Sequence, residues 1–251
     1  MPEQSVAEKP VDPVAPQPPV ATQPSKPSAA RRIGQVIVNY VWFTAALFLA
    51  AGRLDWTRGW ISVALCVVSF TAMGMIIQRY NPELMAERAR WRRKDAKPFD
   101  KIFMAVYLPL TLLQPVVAGL DAVRFRWSSI PFAFVYAGAV LFAASVVLLT
   151  WAMAVNPHAE SSVRIQSDRG HQVVTSGPYR FVRHPMYVGI IVMSLANPLI
   201  WGSVWALVMS GVMILLFIWR TAQEDQTLRR ELPGYEDFAA HTPYRLVPGV
   251  W

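Results

Sequence analysis

Arg183-His184-Pro185-Met186-Tyr187-Val188-Gly189 is a charged turn that runs directly into an apolar stretch, and its reading decides the fold. Pro185 suits the first position of a helix, where the N–H it lacks would be unpaired anyway. His184 then stands at the cap, and Tyr187, three residues on, shares its face. Just upstream lies Ser176-Gly177-Pro178-Tyr179-Arg180. Two arginines, a histidine and two tyrosines thus gather at a helix N-terminus, a place suited to a small charged ligand. The same residues also make an ordinary arginine-rich turn with an aromatic anchor at a bilayer surface. Spacing alone does not separate the two readings.

Both readings need a membrane, and the composition supplies one. Of 251 residues, 54% are hydrophobic and only 16% charged, where a soluble domain carries about 25% charged residues. Mean hydropathy is +0.30. The apolar residues come in blocks near 20 residues long, enough to cross a bilayer as helices. They do not alternate in polarity, which excludes a barrel. The reading is an all-α polytopic membrane bundle of about six helices, at roughly 35–51, 59–77, 102–120, 130–155, 185–197 and 202–221. Pro109 and Pro115 predict a kink in the third. The fifth is short and stops at Asn197-Pro198, so it forms a tight helical hairpin with the sixth. Residues 1–30, rich in proline, read as a disordered tail rather than a secretory signal. The single cysteine, Cys66, rules out an internal disulfide or a cysteine metal cluster, and no metal site is expected. It reads as a small core residue.

Charge orients the bundle. With the first loop outside, the outer loops hold Arg53, Arg58, Arg124 and Arg126, and the remaining 20 of 24 Lys and Arg lie on the other side. That split puts both termini in the cytoplasm, in an integral, multi-pass protein expected in a bacterial inner membrane. Trp56, Trp60, Trp127 and Trp201 fall near span ends, as an aromatic belt requires. The net charge of +8 then reflects orientation and lipid heads, not nucleic acid. Arg88, Arg90, Arg92, Arg93 and Lys94 read as a lipid-facing surface. The topology also brings the 156–184 segment, the start of the fifth span and the end of the sixth to one face. There Arg220 and Glu224, four apart, share a helical face. They are either a plain helix-end ion pair or functional groups at the bilayer edge.

A resemblance decides between these alternatives. Thr175-Ser176-Gly177-Pro178-Tyr179-Arg180, Arg183-His184-Pro185-Met186-Tyr187-Val188-Gly189, Glu224-Asp225 with Leu228, Gly234-Tyr235-Glu236 and Arg245-Leu246-Val247-Pro248 resemble the isoprenylcysteine carboxyl methyltransferase family, which is grouped with the phospholipid N-methyltransferases. The likeness covers about 156–248, which makes 156–251 the catalytic region and 31–155 a four-helix membrane region. It implies a membrane-embedded methyltransferase that uses S-adenosylmethionine without a Rossmann fold, with a lipidic or isoprenoid acceptor entering from the bilayer. Carried over position by position, the cofactor candidates are His171, Gln172, Val173, Val174, Tyr179, His184, Pro185, Met186, Tyr187 and Glu224. Arg220 matches the substrate-side arginine. Arg220 and Glu224 are the catalytic candidates. The family often has two glutamates where this chain has Glu224-Asp225, which leaves the role of Asp225 open.

The chemistry fits those roles. Backbone groups along 171–174 could read an adenine edge, and Tyr179 and Tyr187 could stack or donate. Arg183 and the N–H groups opening the fifth span suit the cofactor carboxylate, and Glu224 suits its ammonium. Arg220 could orient an acceptor carboxylate; for an amine acceptor, Glu224 or a water would take the proton. His158 and His241 have no evident partner. The alternative is a differently catalytic membrane protein of the same architecture, such as an NADPH-dependent reductase relative. The 156–184 segment offers no glycine-rich phosphate loop, which weighs against it.

Overall fold

The computed structural model describes residues 29–88 and 95–251. Eight α-helices are among them: α1 (Ala29–Ala51), α2 (Thr57–Tyr80), α3 (Pro82–Arg88), α4 (Pro98–Gly119), α5 (Phe134–Val155), α6 (Pro185–Trp201), α7 (Val204–Glu231) and α8 (Tyr235–His241). Five are long and apolar enough to cross a membrane: α1, α2, α4, α5 and α7. With α6, 17 residues long, they correspond to the six expected spans. The protein is an integral membrane protein. Most of the expected proline-rich tail, residues 1–28, lies outside the described residues, as do Arg90, Arg92, Arg93 and Lys94.

In space the helices pack α1 on α4, α4 on α7, α7 on α6, α6 on α5 and α5 on α2. One end of the bundle is sealed by a core that includes Leu47, Phe48, Trp56, Phe142, Ile200 and Trp201. Trp56 is 8% and Trp201 1% exposed, so these two are core residues and not belt residues. Trp201 Nε1 donates to Ser62 Oγ at 2.9 Å, the partner a buried indole needs. Trp60 and Trp127 remain exposed. Cys66 is buried in the same core.

Pro109 and Pro115 lie inside α4 without ending it. Its last turn widens into a π-helix, Leu120–Phe125, closed by Arg126 in the left-handed region. The buried Asp121 there accepts from Ser128 Oγ, Ser203 Oγ and the Trp205 N–H, which ties α4 to the α6–α7 turn.

The fifth span does not stop at Pro198. α6 continues to Trp201, because the carbonyl that Pro198 deprives of its i+4 donor, Ser194 O, accepts instead from Ser210 Oγ of α7. An interior proline is tolerated when a neighbouring hydroxyl re-satisfies the freed carbonyl. The helix ends at Gly202, at φ 83°, and Ser203 caps α7 by accepting from the Ala206 N–H at 3.0 Å. The hairpin expected from the sequence is therefore present.

α5 and α6 touch closely at Gly138. A Cβ there would lie 2.8 Å from Ile200 Cγ1 and 2.9 Å from the Ala196 carbonyl oxygen. Backbone cannot yield as a flexible side chain does, so Gly138→Ala should destabilise by on the order of 1–3 kcal/mol. Gly211→Ala, with nothing within 4 Å among the described residues, is the control. Detergent melting that ranks Gly211→Ala below Gly138→Ala would refute this packing.

Candidate active site

The 156–184 segment folds over the end of the bundle opposite Trp201. Asn156, at the end of α5, donates to Tyr179 Oη at 2.8 Å. Asn81, between α2 and α3, donates to the Met153 and Asn156 carbonyls at 2.9 and 3.0 Å. Arg164, its side chain 4% exposed, pairs with Glu160 at 3.0 Å, Asp168 at 2.7 Å and Asp95 at 3.2 Å. Such a network holds a loop that has no regular secondary structure to hold it.

Beneath this segment lies a cavity, about 780 Å³ with its open mouth included. His171, Gln172, Val173, Val174, Tyr179, Arg183, His184, Met186, Tyr187, Arg220 and Glu224 all line it. Pro185 does not; it opens α6 behind the wall, with His184 at the cap as its spacing predicted. Among the lining residues that sequence reasoning missed are Glu160, Arg164, Gln166, Tyr235 and Phe238. The motif sits as expected: the His184 and Tyr187 rings stack with centroids 5.6 Å apart.

His158 has partners after all. Its ring lies 4.5 Å from that of His171, Nδ1 is 3.2 Å from Gln166 Oε1, and Nε2 accepts from the Gln172 N–H at 3.4 Å. His171 Nδ1 accepts from the Gln166 N–H at 3.3 Å. Burial, reinforced by His158 and Arg164, pushes His171 down to about 4 from 6.5. The folded state therefore keeps His171 neutral where the unfolded chain binds a proton. Stability is full above pH 6.5 and falls as the pH drops toward 4. Detergent melting at pH 7.5 and 5 should show this loss, reduced in His171→Gln. An equal loss in the variant removes His171 as the cause.

Arg183 proves to be a framework residue. Its Nε and Nη2 donate to Asp225 at 2.7 and 3.1 Å, and Nη1 donates to the Thr242 and Pro243 carbonyls at 2.7 and 2.8 Å. Its backbone N–H goes to Tyr244 O, that of His184 to Arg245 O, and those of Tyr187 and Val188 to His184 O. Four of the five side-chain N–H donors of Arg183, and these backbone N–H groups, are thus engaged by Asp225, the C-terminal segment and the first turn of α6, while Arg183 still lines the cavity. Asp225, whose role the sequence left open, is the hub. Fully buried, it also accepts from Tyr235 Oη at 2.9 Å, Arg245 at 3.0 Å and Arg229 at 3.3 Å.

Arg220 and Glu224 do share a face of α7, but their partners lie elsewhere. Arg220, 5% exposed, pairs through Nη2 with Asp100 Oδ1 of α4 at 2.8 Å and donates to Ser161 O at 3.0 Å. Its guanidinium lies 4.2 Å from the Phe103 ring and 5.1 Å from that of Tyr187. Nε is buried without a partner among the described residues. Asp100 in turn accepts from the Val163 N–H at 3.0 Å. Glu224 Oε2 accepts from Tyr187 Oη. The helix-end ion pair is thus replaced by two separately anchored groups, one cationic and one anionic, on one cavity wall.

This wall, with the motif turn on one side and α7 on the other, falls within the region matched to a known family. Residues 137–230 match the model of the isoprenylcysteine carboxyl methyltransferase (ICMT) family. Over these residues the chain is similar to that family. The likeness suggests a membrane methyltransferase, in keeping with the apolar helices. The match takes in α5, the 156–184 segment, α6 and most of α7; it excludes α1 to α4 and the C-terminal segment that buries Arg183 and Asp225. No curated protein matches the chain.

Proposed function

We propose that this protein transfers a methyl group from S-adenosylmethionine to a lipidic or isoprenoid acceptor, at a site opening toward the cytoplasm, both termini being cytoplasmic. The observation that carries the reading is the arrangement on α7: a buried arginine with an unsatisfied Nε and a carboxylate bound to a tyrosine hydroxyl face one ICMT-family cavity.

The residues present fit the cofactor. Glu224 keeps Oε1 without a hydrogen bond among the described residues and suits the ammonium. Backbone groups at His171, Gln172, Val173 and Val174 run along the cavity and suit the adenine edge. Tyr179, His184, Met186 and Tyr187 supply the walls, with Pro185 fixing the start of α6. When bound, S-adenosylmethionine supplies an electrophilic methyl group on its sulfonium. Direct displacement asks the protein chiefly for alignment and exclusion of water. Arg220, fixed by Asp100 and the aromatic rings of Phe103 and Tyr187, orients the acceptor oxygen. Phe103, Tyr107 and Phe217 pack on one another beside it and hold the guanidinium from its apolar side.

Titration of the full chain in detergent with S-adenosylmethionine and with NADPH tests this. Binding of the first, none of the second, and labelled methyl entering a membrane lipid extract are expected. NADPH binding without S-adenosylmethionine binding would replace the methyltransferase reading by the reductase one.

A further inference from the structure

The end of the bundle that holds Trp201, opposite the active-site cavity, carries a second cavity, about 830 Å³ with its open mouth included. Arg53, Asp55, Arg58, Arg126, Ser128 and Ser129 are among its lining residues. The charge asymmetry of the chain allots this end only four of 24 Lys and Arg, and three of the four meet in this one place. Arg58 is built into the wall. Its Nη2 donates to the Ile130 carbonyl at 2.6 Å, and its guanidinium lies 5.2 Å from the Phe132 ring. Nη1 is buried without a partner among the described residues. A Cβ at Gly202 would lie 2.2 Å from that Nη1, so the glycine that ends α6 also makes room for the guanidinium. One N–H goes to Ile130, which leaves further donors in the same planar fork.

The charges in this cavity do not balance. Asp55 is taken by Arg53. Asp121, fully buried, turns Oδ2 to Ser128, Ser203 and the Trp205 N–H, and it does not line the cavity. Among the described residues neither Arg58 nor Arg126 has a carboxylate within ion-pair distance. A part-buried guanidinium at a bilayer edge is costly without an anion. Arg126 also holds its backbone at φ 53°, the only non-glycine residue at positive φ among the described residues, a conformation that favours Gly or Asn. Such strain persists where the surroundings impose it, and it clusters at ligand sites. α2 opens against the same cavity, with no acidic residue in its first turn and no side-chain cap. Its dipole adds to the positive potential of the arginines.

We propose that Arg58 and Arg126, with Arg53 beside them, form a binding site for a phosphate-bearing anion. A phosphate accepts from several directions at once, which suits guanidinium groups that arrive from separate elements. A lipid headgroup and free phosphate share this chemistry. An apolar groove that includes Val41, Phe48, Leu49, Leu54 and Trp60 shares Arg53 with the cavity and offers the acyl chains of a lipid a path along α1. None of the three arginines lines the active-site cavity, so the inference stands apart from the methyltransferase reading.

Calorimetry on the full chain in uncharged detergent, at fixed ionic strength, tests the site. The probes are inorganic phosphate, dihexanoyl phosphatidylglycerol, and dihexanoylglycerol as the phosphate-free control. The wild type is expected to bind one or both of the phosphate probes more tightly than the control. Arg126→Gly keeps the left-handed backbone without strain. It should weaken phosphate-probe binding about tenfold or more, the size of one lost charge-assisted hydrogen bond. Its melting temperature without ligand should stay at or above that of the wild type, whereas a merely structural arginine would lower it on removal. Arg58→Gln should weaken the same binding to a similar extent. Arg58→Lys, the variant less disruptive to folding, should weaken it severalfold, since a point charge replaces a planar fork. With the variants behaving so, binding of inorganic phosphate makes this a site for the free anion, and binding of the phosphatidylglycerol alone makes it a headgroup site. Three results overturn the proposal: neither phosphate probe binds, their affinity is unchanged in Arg126→Gly, or dihexanoylglycerol binds as tightly as its phosphatidylglycerol. S-adenosylmethionine affinity should be the same in every folded variant, so failure of either reading leaves the other in place.

Discussion

Arg220→Ala should lower methyl transfer by roughly 10²-fold or more while leaving S-adenosylmethionine affinity near that of the wild type. The guanidinium is held from several sides, by Asp100, by the Ser161 carbonyl and by the faces of Phe103 and Tyr187. Its Nε has no partner among the described residues, and a buried donor without one costs about 1–3 kcal/mol, a cost that an acceptor oxygen would relieve. Arg220→Lys should not restore the rate, because an ammonium cannot stack on the rings and present a planar fork together. Glu224→Gln should behave oppositely, raising the cofactor dissociation constant through loss of the charge that meets the ammonium. Single-turnover transfer and calorimetric binding on the same preparations separate the effects. If Arg220→Ala abolishes cofactor binding and Glu224→Gln does not, the roles are exchanged.

Asp225→Ala should cost about 3–5 kcal/mol of stability, the usual penalty for removing one partner of a buried ion pair. Its carboxylate is fully buried and meets Arg183, Arg229, Arg245 and Tyr235. Removing it strands the Arg183 side chain, 2% exposed, and unties the C-terminal segment from the motif turn. Arg229→Ala, which removes an outer partner 33% exposed and paired with Glu236 as well, should cost far less. Thermal unfolding in detergent compares the two. Equal losses in both variants would mean that Asp225 is not the hub. The shorter acid is no weak copy of Glu224: it organises the turn, and Glu224 faces the cavity.

The basis for these roles was visible in the chain to different degrees. Apolar blocks of membrane length, the charge asymmetry and the Pro185 helix start are local or compositional, so the helical membrane class, the hairpin and the approach of the motif turn to the end of α7 could be read directly. Span ends were read less well where a distant residue intervened. Pro198 looks like a stop until Ser210, on another helix, takes up the Ser194 carbonyl. The short helices α3 and α8, seven residues each, carry too few turns to show a periodicity.

The sequence by itself determined an all-α membrane bundle, the tight α6–α7 hairpin, and a cluster of His184, Tyr187, Arg220 and Glu224 at one end of it. Tertiary structure alone decided which charges meet. Arg220 takes Asp100 from α4 rather than Glu224 from its own helix, Arg183 is spent on Asp225, and Arg88 turns from a basic run to the Ala159 carbonyl. Ion pairs between distant segments follow no spacing rule; they form where packing has removed water and a partner lies within reach. Residue type says that a buried arginine must find a partner, and only the packed helices say which one it finds.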